Sequence, residues 1–277
     1  MSETGSGDAE PKSVRVYKRT VGASLERVWE NVRDWEHLPW LHSATFASIV
    51  LVDESDSTWR ADIEFTEALG GGKSQVEVVM CVDEHYYTTR TLTGEGAGTE
   101  IVTRLGGRDD GATDIEVDFR VPGVAPEDRE FVGDAMQTVY ARLWDEDESM
   151  MIERQAVVDE RPDPFARPAS GRLELGRRSR VREGLPLTLR VGTESYRLVE
   201  VTVDGRAEVI LFNARCPHRG GPLGECELQG ATAVCPWHGY AFDVKSGASS
   251  DGRGLRLGRV PRLHHDRASD MLTLVWD

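Results

Sequence analysis

The pattern of apolar and polar positions in the first half predicts one strand, one helix, six strands and a second, long helix. Residues 14–20 alternate as a half-buried strand does, and Ser24 can cap a helix that runs to about Trp35. Short Gly, Asp and Ser breaks then separate a series of strand-like runs. These six runs lie at about 46–53, 57–66, 74–82, 85–93, 99–105 and 112–121. A helical segment from about 126 to 155 follows, so the pattern predicts an antiparallel meander closed by a helix.

The second half of the chain shows strand-like runs without any long helical stripe. They lie at 173–175, 187–191, 196–203, 207–213, 256–263 and 271–276. The segment before them is rich in proline and poor in apolar residues, which is typical of a linker. The chain is therefore predicted to hold a disordered N-terminus at 1–13, an α+β domain at 14–155, a linker at 156–171 and an all-β domain at 172–277.

Composition and charge narrow the class of protein. The chain has 277 residues, of which 39% are hydrophobic, as expected of two globular domains. Its net charge of −15 argues against a nucleic-acid or anionic-membrane partner. We expect a cytoplasmic protein, because neither a signal peptide nor an apolar run of bilayer-spanning length is present. Two of the four cysteines, Cys81 and Cys226, lie in an apolar strand and a loop, so no disulfide framework is indicated.

Two short Cys/His pairs carry the clearest chemistry. Cys216-Pro-His218 and Cys235-Pro-Trp-His238 are separated by sixteen residues, and Gly and Pro surround both pairs. A Rieske [2Fe–2S] centre binds one iron through two Cys and the other through two His, so each loop can supply one ligand to each iron. A zinc site also accepts two Cys and two His, but its usual clips pair like with like. Zinc, and four unrelated loop residues, remain the alternatives at this point.

The segments after each pair resemble the Rieske family over about the last hundred residues. Gly220-Gly221-Pro222-Leu223 follows the first pair, and Gly239-Tyr240-Ala241-Phe242-Asp243 follows the second. High-potential members of that family carry an additional cysteine in each loop and hydroxyl side chains near the second. Here Pro217 and Trp237 stand beside the ligands and Phe242 has no hydroxyl, which implies a low-potential cluster of the oxygenase or ferredoxin type.

A carboxylate in the middle of an apolar helical stripe indicates a second site. On a helical wheel, Asp147 lies within about 60° of six apolar side chains. These are Met136, Tyr140, Leu143, Trp144, Met150 and Met151. A lone buried carboxylate is costly unless a charge or a metal pairs with it. The alternatives are that the helix ends or bends before Asp147, or that an arginine pairs with it.

The spacing of three metal-binding residue types near the start of the chain also supports the hypothesis of a second metal site. Asp34, His37 and His42 form an Asp-x₂-His-x₄-His pattern. Two His and one carboxylate make the facial triad of non-haem Fe(II) oxygenases, and a carboxylate three residues before a ligating His can orient its ring. The alternative is that these side chains decorate the polar end of the first helix.

The order strand, helix, meander and long helix resembles the START-like helix-grip fold, in which the sheet wraps the last helix around an apolar cavity. Together with the Cys/His loops, the two patterns resemble the Rieske non-haem iron oxygenases. That resemblance implies a mononuclear Fe(II) bound by His37, His42 and Asp147, a cluster bound by Cys216, His218, Cys235 and His238, and an acidic bridge for electrons at Asp34. The family usually has the Rieske domain first and a larger catalytic domain, so this chain looks permuted and shortened.

The resemblance also implies a reaction and its partners. An external ferredoxin or flavin reductase would reduce the cluster, and O₂ would hydroxylate or dealkylate an apolar small molecule in the cavity. The subunits of such enzymes form head-to-tail homo-oligomers, of which a trimer is one form. The rival hypothesis is a Rieske ferredoxin-type electron carrier fused to a START-like domain that binds a hydrophobic ligand without a second iron.

Overall fold

The computed structural model describes residues 11–160, 171–203 and 205–276, and the chain divides into two compact units between Ile152 and Glu153. Most of the N-terminus predicted as disordered, and residues 161–170 of the predicted linker, lie outside the described residues. Residues 12 and 13, however, belong to the first strand. None of the described helices has the length and apolar character needed to cross a membrane.

The first unit is one antiparallel sheet with a long helix. Its strands are β1 (Lys12–Val21), β2 (Phe46–Glu54), β3 (Thr58–Phe65), β4 (Lys73–Cys81), β5 (Tyr86–Gly94), β6 (Glu100–Gly107) and β7 (Thr113–Val121). They are ordered β1-β7-β6-β5-β4-β3-β2, so the six predicted meander strands pair with their neighbours in sequence and β1 adds to β7. Each meander strand lies within about two residues of its predicted bounds. The hydrophobic pattern was sufficient to predict these strands because one face of each strand is buried.

Two short helices separate β1 from β2. Helix α1 (Leu25–Val32) begins where the Ser24 hydroxyl accepts a hydrogen bond from the Arg27 amide, as predicted. It ends at Val32 rather than at the predicted Trp35, because the chain turns there and starts helix α2 (Leu38–Leu41). Pro39 lies in the first turn of α2, where its missing N–H costs no intrahelical bond.

The long helix α3 (Arg129–Asp159) lies across the sheet of the first unit. Its Trp144 and Met151 belong to the same apolar core as the sheet, and its Tyr140 ring packs edge-on against Phe119 at 4.9 Å. The helix continues past the predicted end at Gln155, so residues 156–159 are helical and not part of a linker. The sequence offers no proline after Pro126 until Pro162, and nothing before that point bars the helix.

The second unit contains three small antiparallel sheets. Its elements are β8 (Gly171–Arg177), α4 (Arg178–Glu183), β9 (Leu187–Val191), β10 (Glu194–Val203), β11 (Arg206–Asn213), β12 (Leu228–Gln229), β13 (Thr232–Val234), β14 (Ala241–Asp243), β15 (Arg262–Asp266) and β16 (Met271–Trp276). The sheets have the orders β11-β10-β9, β12-β13-β14 and β15-β16-β8. The α+β class predicted for the whole chain is confirmed.

Two details of the second unit differ from the prediction. Helix α4 interrupts the domain predicted to be all-β, and it was missed because Val181 is its one buried residue and gives no periodic stripe. The strand predicted at 256–263 is instead β15, which begins after Pro261. Proline has no N–H to donate to a ladder, so pairing starts only at the following residue.

Candidate metal centres and the adjoining cavity

The structure brings the four Cys and His residues of the two loops together in the second unit. Cys216 and Cys235 are 3% and 1% exposed, and their sulfur atoms are hydrogen-bonded to each other. The His218 and His238 rings meet at 4.7 Å between centroids, at 80° to each other. The two thiols are thus next to each other and so are the two imidazoles, and a [2Fe–2S] centre binds one iron through each kind of pair.

The two loops have the same backbone hydrogen bonds although their ligand spacings differ. Cys216 N donates to Gly221 O and Gly220 N donates to Cys216 O, both at 2.9 Å. Cys235 N donates to Tyr240 O and Gly239 N donates to Cys235 O, again at 2.9 Å. Gly220 and Gly239 have φ of +81° and +66°, a backbone conformation that residues other than glycine rarely adopt. Glycine at these two positions thus closes both loops around their cysteines.

The thiols are poised to act as metal ligands. The pKa of Cys235 is lowered, chiefly because its sulfur accepts a hydrogen bond from Cys216 and further because His238 and nearby backbone amides donate to it. The pKa of Cys216 is raised, first by donating that hydrogen bond and then by burial. A metal cluster would displace the proton that the two buried sulfurs share, because thiolates and not thiols bind iron.

Tyr240 and Arg253 are neighbours of the cluster loops that the sequence did not single out. The Tyr240 ring stacks on the His218 imidazole at 4.3 Å with 19° between the planes. The Arg253 guanidinium lies 3.9 Å from the centre of the Tyr240 ring. The sequence places Tyr240 two residues after His238 but gives no sign that its ring stacks on His218 from the other loop.

His37, His42 and Asp147 converge in the first unit. His37 and His42 stand at the two ends of α2, so this single helical turn fixes the distance between them. Asp147 comes from the middle of α3, and its Oδ1 lies 3.5 Å from His37 Nε2 and 3.1 Å from His42 Nε2. One ligand atom from each residue lies within 4.8 Å of the other two. All three side chains are buried, at 4%, 1% and 8% exposure, so they do not decorate a polar helix end.

The surroundings of Asp147 exclude the two alternatives that its sequence raised, a helix that ends or bends before this residue and an arginine that pairs with it. Helix α3 runs unbroken past this residue to Asp159. Within the described ranges, its carboxylate meets the two histidines and no Arg or Lys. Its Oδ1 is buried and accepts no well-aligned hydrogen bond from any described residue. A buried carboxylate oxygen without such a donor, facing two imidazole nitrogens, fits a metal of the two-His-one-carboxylate type.

The two sites differ in how their ligands are arranged. Among described residues, His37, His42 and Asp147 are the one set of three or more metal-binding groups whose ligand atoms all lie so close together. The Cys/His set does not converge in this way. Four ligands of a single tetrahedral zinc would converge, whereas ligands divided between two irons need not. The arrangement therefore favours a two-iron cluster over the zinc alternative.

Glu146 is a contributor to the first site that the sequence placed only at the edge of the apolar stripe. Its Oε2 lies 2.6 Å from His42 Nδ1, which leaves His42 Nε2 directed toward Asp147. Burial would lower the pKa of His42, but Asp147 and Glu146 together hold that pKa above its usual value. A carboxylate on the far nitrogen of a ligating His fixes its tautomer and orientation.

Changing Glu146 to Gln is expected to weaken iron binding at this site by about 10–100-fold, because the amide no longer holds the Nδ1 proton of His42 as a carboxylate does. Competition with a chelator, on protein whose cluster is intact, measures this. The matched control is Asp145→Asn, one residue earlier, whose exposed side chain pairs with Arg19 on the surface. Equal iron affinity in the Gln variant and the control would contradict the role given to Glu146.

A cavity of about 610 Å³ adjoins this site in the first unit. His37, His42 and Asp147 form part of its wall, and so does Asp34, which is 7% exposed. Most of the remaining wall is apolar or aromatic. It includes Val32, Leu38, Phe46, Trp59, Ile63, Phe65, Val76, Val78, Ile101, Met136, Val139, Leu143 and Trp144. A cavity of this size and lining accommodates a drug-sized apolar molecule.

Comparisons with known proteins address the two units separately. Residues 171–257 match the family of the Rieske [2Fe-2S] domain. A search of curated protein sequences finds no significant match. Among solved structures, similar chains include the ZhuI aromatase/cyclase from Streptomyces sp. R1128, with 14% identity, 52% of this chain and 93% of that chain covered, and a TM-score of 0.40.

Two further structures resemble about half of this chain. Norcoclaurine synthase from Thalictrum flavum has 16% identity, with 55% of this chain and 96% of that chain covered and a TM-score of 0.41. A START superfamily protein from Mycobacterium smegmatis has 19% identity, with 48% and 89% covered and a TM-score of 0.36. The sheet order and the long helix of the first unit define its START-like helix-grip arrangement independently of these distant matches. The chain thus combines a START-like domain with a C-terminal Rieske [2Fe–2S] domain.

Proposed function

We propose that the protein is a Rieske-type oxygenase that uses O₂ to hydroxylate or dealkylate an apolar small molecule. The observation that carries the proposal is the convergence of His37, His42 and Asp147 on one point in the wall of an apolar cavity. A Rieske domain in the same chain supplies the electron-transfer half of such an enzyme. The two features together support an oxygenase more than either does alone.

The residues have the following proposed roles. His37, His42 and Asp147 hold a mononuclear Fe(II), and Cys216, His218, Cys235 and His238 hold a low-potential [2Fe–2S] cluster. When bound, these groups would supply O₂ activation and the electrons for it. Glu146 keeps His42 in the tautomer that presents Nε2. A set of two His and one carboxylate would leave room at a bound metal for O₂.

The cavity would place the substrate and keep water away from the metal. Trp59 and Trp144, which are 8% and 4% exposed, line the cavity and would contact a ligand with their aromatic rings. Removal of apolar area from water is the main contribution that such walls make to binding. An apolar substrate is therefore the class that this lining favours.

The partners follow from the same proposal. Asp34 is assigned as the acidic bridge between cluster and iron, and its burial in the cavity wall is compatible with that assignment. An external ferredoxin or flavin reductase would reduce the cluster. A homo-oligomer, such as a head-to-tail trimer, is proposed on the resemblance to Rieske oxygenases alone, in which heterologous contacts close into rings. A cytoplasmic location likewise remains a prediction.

The ratio of iron to acid-labile sulfide tests the proposal against an electron carrier without the second iron. We expect three irons and two sulfides per chain for protein reconstituted anaerobically with Fe(II) and sulfide, because a [2Fe–2S] cluster and one mononuclear ion are bound. The electron carrier would give two irons and two sulfides. A ratio of two to two, in protein that shows the full visible spectrum of the cluster, would sink the oxygenase proposal.

A further inference from the structure

The cavity has one polar strip in its otherwise apolar sheet wall. Tyr87, Thr89 and Thr91 occupy alternate positions of β5 and all three line the cavity, as expected for residues on one face of a strand. β5 is the fourth of the seven strands, so the strip runs down the middle of the sheet. The residues paired with Thr89 are Val78 on β4 and Ile101 on β6, and both also line the cavity.

The two threonine hydroxyls on this strip have no partner in the part of the chain that the structure describes. Thr45, elsewhere in the cavity wall, differs because its hydroxyl accepts a hydrogen bond of 2.6 Å from Arg142. A hydroxyl that faces an apolar space loses hydrogen bonds it had in water unless a ligand or a bound water replaces them. Valine would have the same shape and the same preference for a strand without this cost.

The strip extends from the buried part of the cavity toward its mouth. Tyr87 is at the buried end, where burial, more than the nearby charge of Asp147, raises the pKa of its phenol. Beyond Thr91, the turn after β5 contributes exposed Glu95 and Gly96 to the rim, together with Leu69, which is 40% exposed. The lining of the cavity therefore continues from β5 to residues that are exposed at the surface.

We propose that Thr89 and Thr91 bind an oxygen atom of the substrate, so that the substrate is an apolar compound that carries a carbonyl or hydroxyl group. Hydrogen bonds from these hydroxyls would hold the oxygen at the sheet wall and fix which part of the molecule faces His37, His42 and Asp147. This inference rests on the proposed function for its consequence, the position of attack. The binding itself requires no iron, and that separates the two in an experiment.

The test compares two ligands of nearly the same shape, 9-fluorenone, which carries a carbonyl oxygen, and fluorene, which does not. Equilibrium dialysis without reductant or O₂ measures the dissociation constant of each for the full-length protein. We expect the double variant Thr89→Val/Thr91→Val to bind 9-fluorenone about tenfold more weakly, as expected for loss of one or two neutral hydrogen bonds. Its affinity for fluorene should be unchanged or slightly higher, which also shows that the cavity is still folded.

Thr93→Val is the matched control, because Thr93 is on the same strand but exposed and outside the cavity lining. It should leave both dissociation constants unchanged. The proposal is overturned if the double variant weakens both ligands equally, if it weakens neither, or if neither ligand binds the unmodified protein. A loss of preference for the ketone in the double variant, in protein that holds only two irons, would keep this inference and refute the oxygenase.

Discussion

Replacing Asp147 with alanine is expected to remove one iron per chain and to abolish O₂-dependent turnover, while the visible spectrum of the cluster persists. The reason is that Asp147 is the one carboxylate of the triad, and its Oδ1 lies within 3.5 Å of both histidine Nε2 atoms. Two neutral imidazoles alone bind a ferrous ion much less well than a facial triad does. Iron analysis by a colorimetric chelator and an O₂ electrode measure the two losses in the same sample.

The control for this experiment is Asp145→Asn on the same helix. Asp145 lies at the surface, where its salt bridge to Arg19 contributes little to stability. This variant should keep all three irons and full turnover. If the Asp147→Ala protein also keeps three irons, the assignment of the triad is wrong, even if its activity falls. If it loses the visible spectrum as well, the substitution has damaged more than the site and His42→Ala becomes the deciding variant.

Replacing Gly221 with alanine is expected to prevent assembly of the [2Fe–2S] cluster. A Cβ at this position would lie 2.6 Å from Cys235 Sγ, which is closer than real Cβ atoms approach, and in a tight contact of 3.2 Å with the Trp237 ring. The Gly221 carbonyl accepts the hydrogen bond from Cys216 N, so the loop cannot move away without releasing a cysteine. Visible absorption of the reconstituted protein and sulfide analysis measure the loss.

Gly224→Ala provides a control three residues further along the same loop. A Cβ there would meet Ala214 Cβ at 3.4 Å and Thr188 at 3.5 Å, which are ordinary contacts. This variant should assemble a normal cluster, so the comparison separates steric exclusion beside the cysteine from a general intolerance of the loop. Normal cluster content in Gly221→Ala would show that the two loops can separate more than the structure indicates.

Each metal set lies within a single unit of the chain. The cluster residues fall between Cys216 and His238 in the second unit, and the triad falls between His37 and Asp147 in the first. The order of the two domains along the chain therefore has no bearing on either ligand set. The family resemblance implies that the order of the two domains is permuted. This order affects only how electrons would reach the iron, and the iron-to-sulfide ratio does not depend on electron delivery.

The sequence by itself determined the strands of the meander and singled out most of the side chains that come together at the two candidate sites. Alternation with a period of two places one face of each strand in the core, so a shift by a single residue would expose that whole face. The same kind of local pattern found Asp147, since a carboxylate among six apolar positions of one helix stripe can be seen without knowing what it faces. The Cys/His pairs could be recognised in the sequence because the two residues of each pair are close together along the chain.

The tertiary structure alone decided which distant groups meet. Glu146 and His42 are more than a hundred positions apart, and only the packing of α3 beside α2 brings their side chains within 2.6 Å. The hydroxyls of Thr89 and Thr91 read as ordinary strand residues in the sequence, because threonine favours strands in any context. Their polarity points to ligand binding only in the folded protein, where the sheet and the helix enclose an apolar cavity around them. A pattern along the chain records which face is buried, whereas the distances across a core depend on how the elements pack.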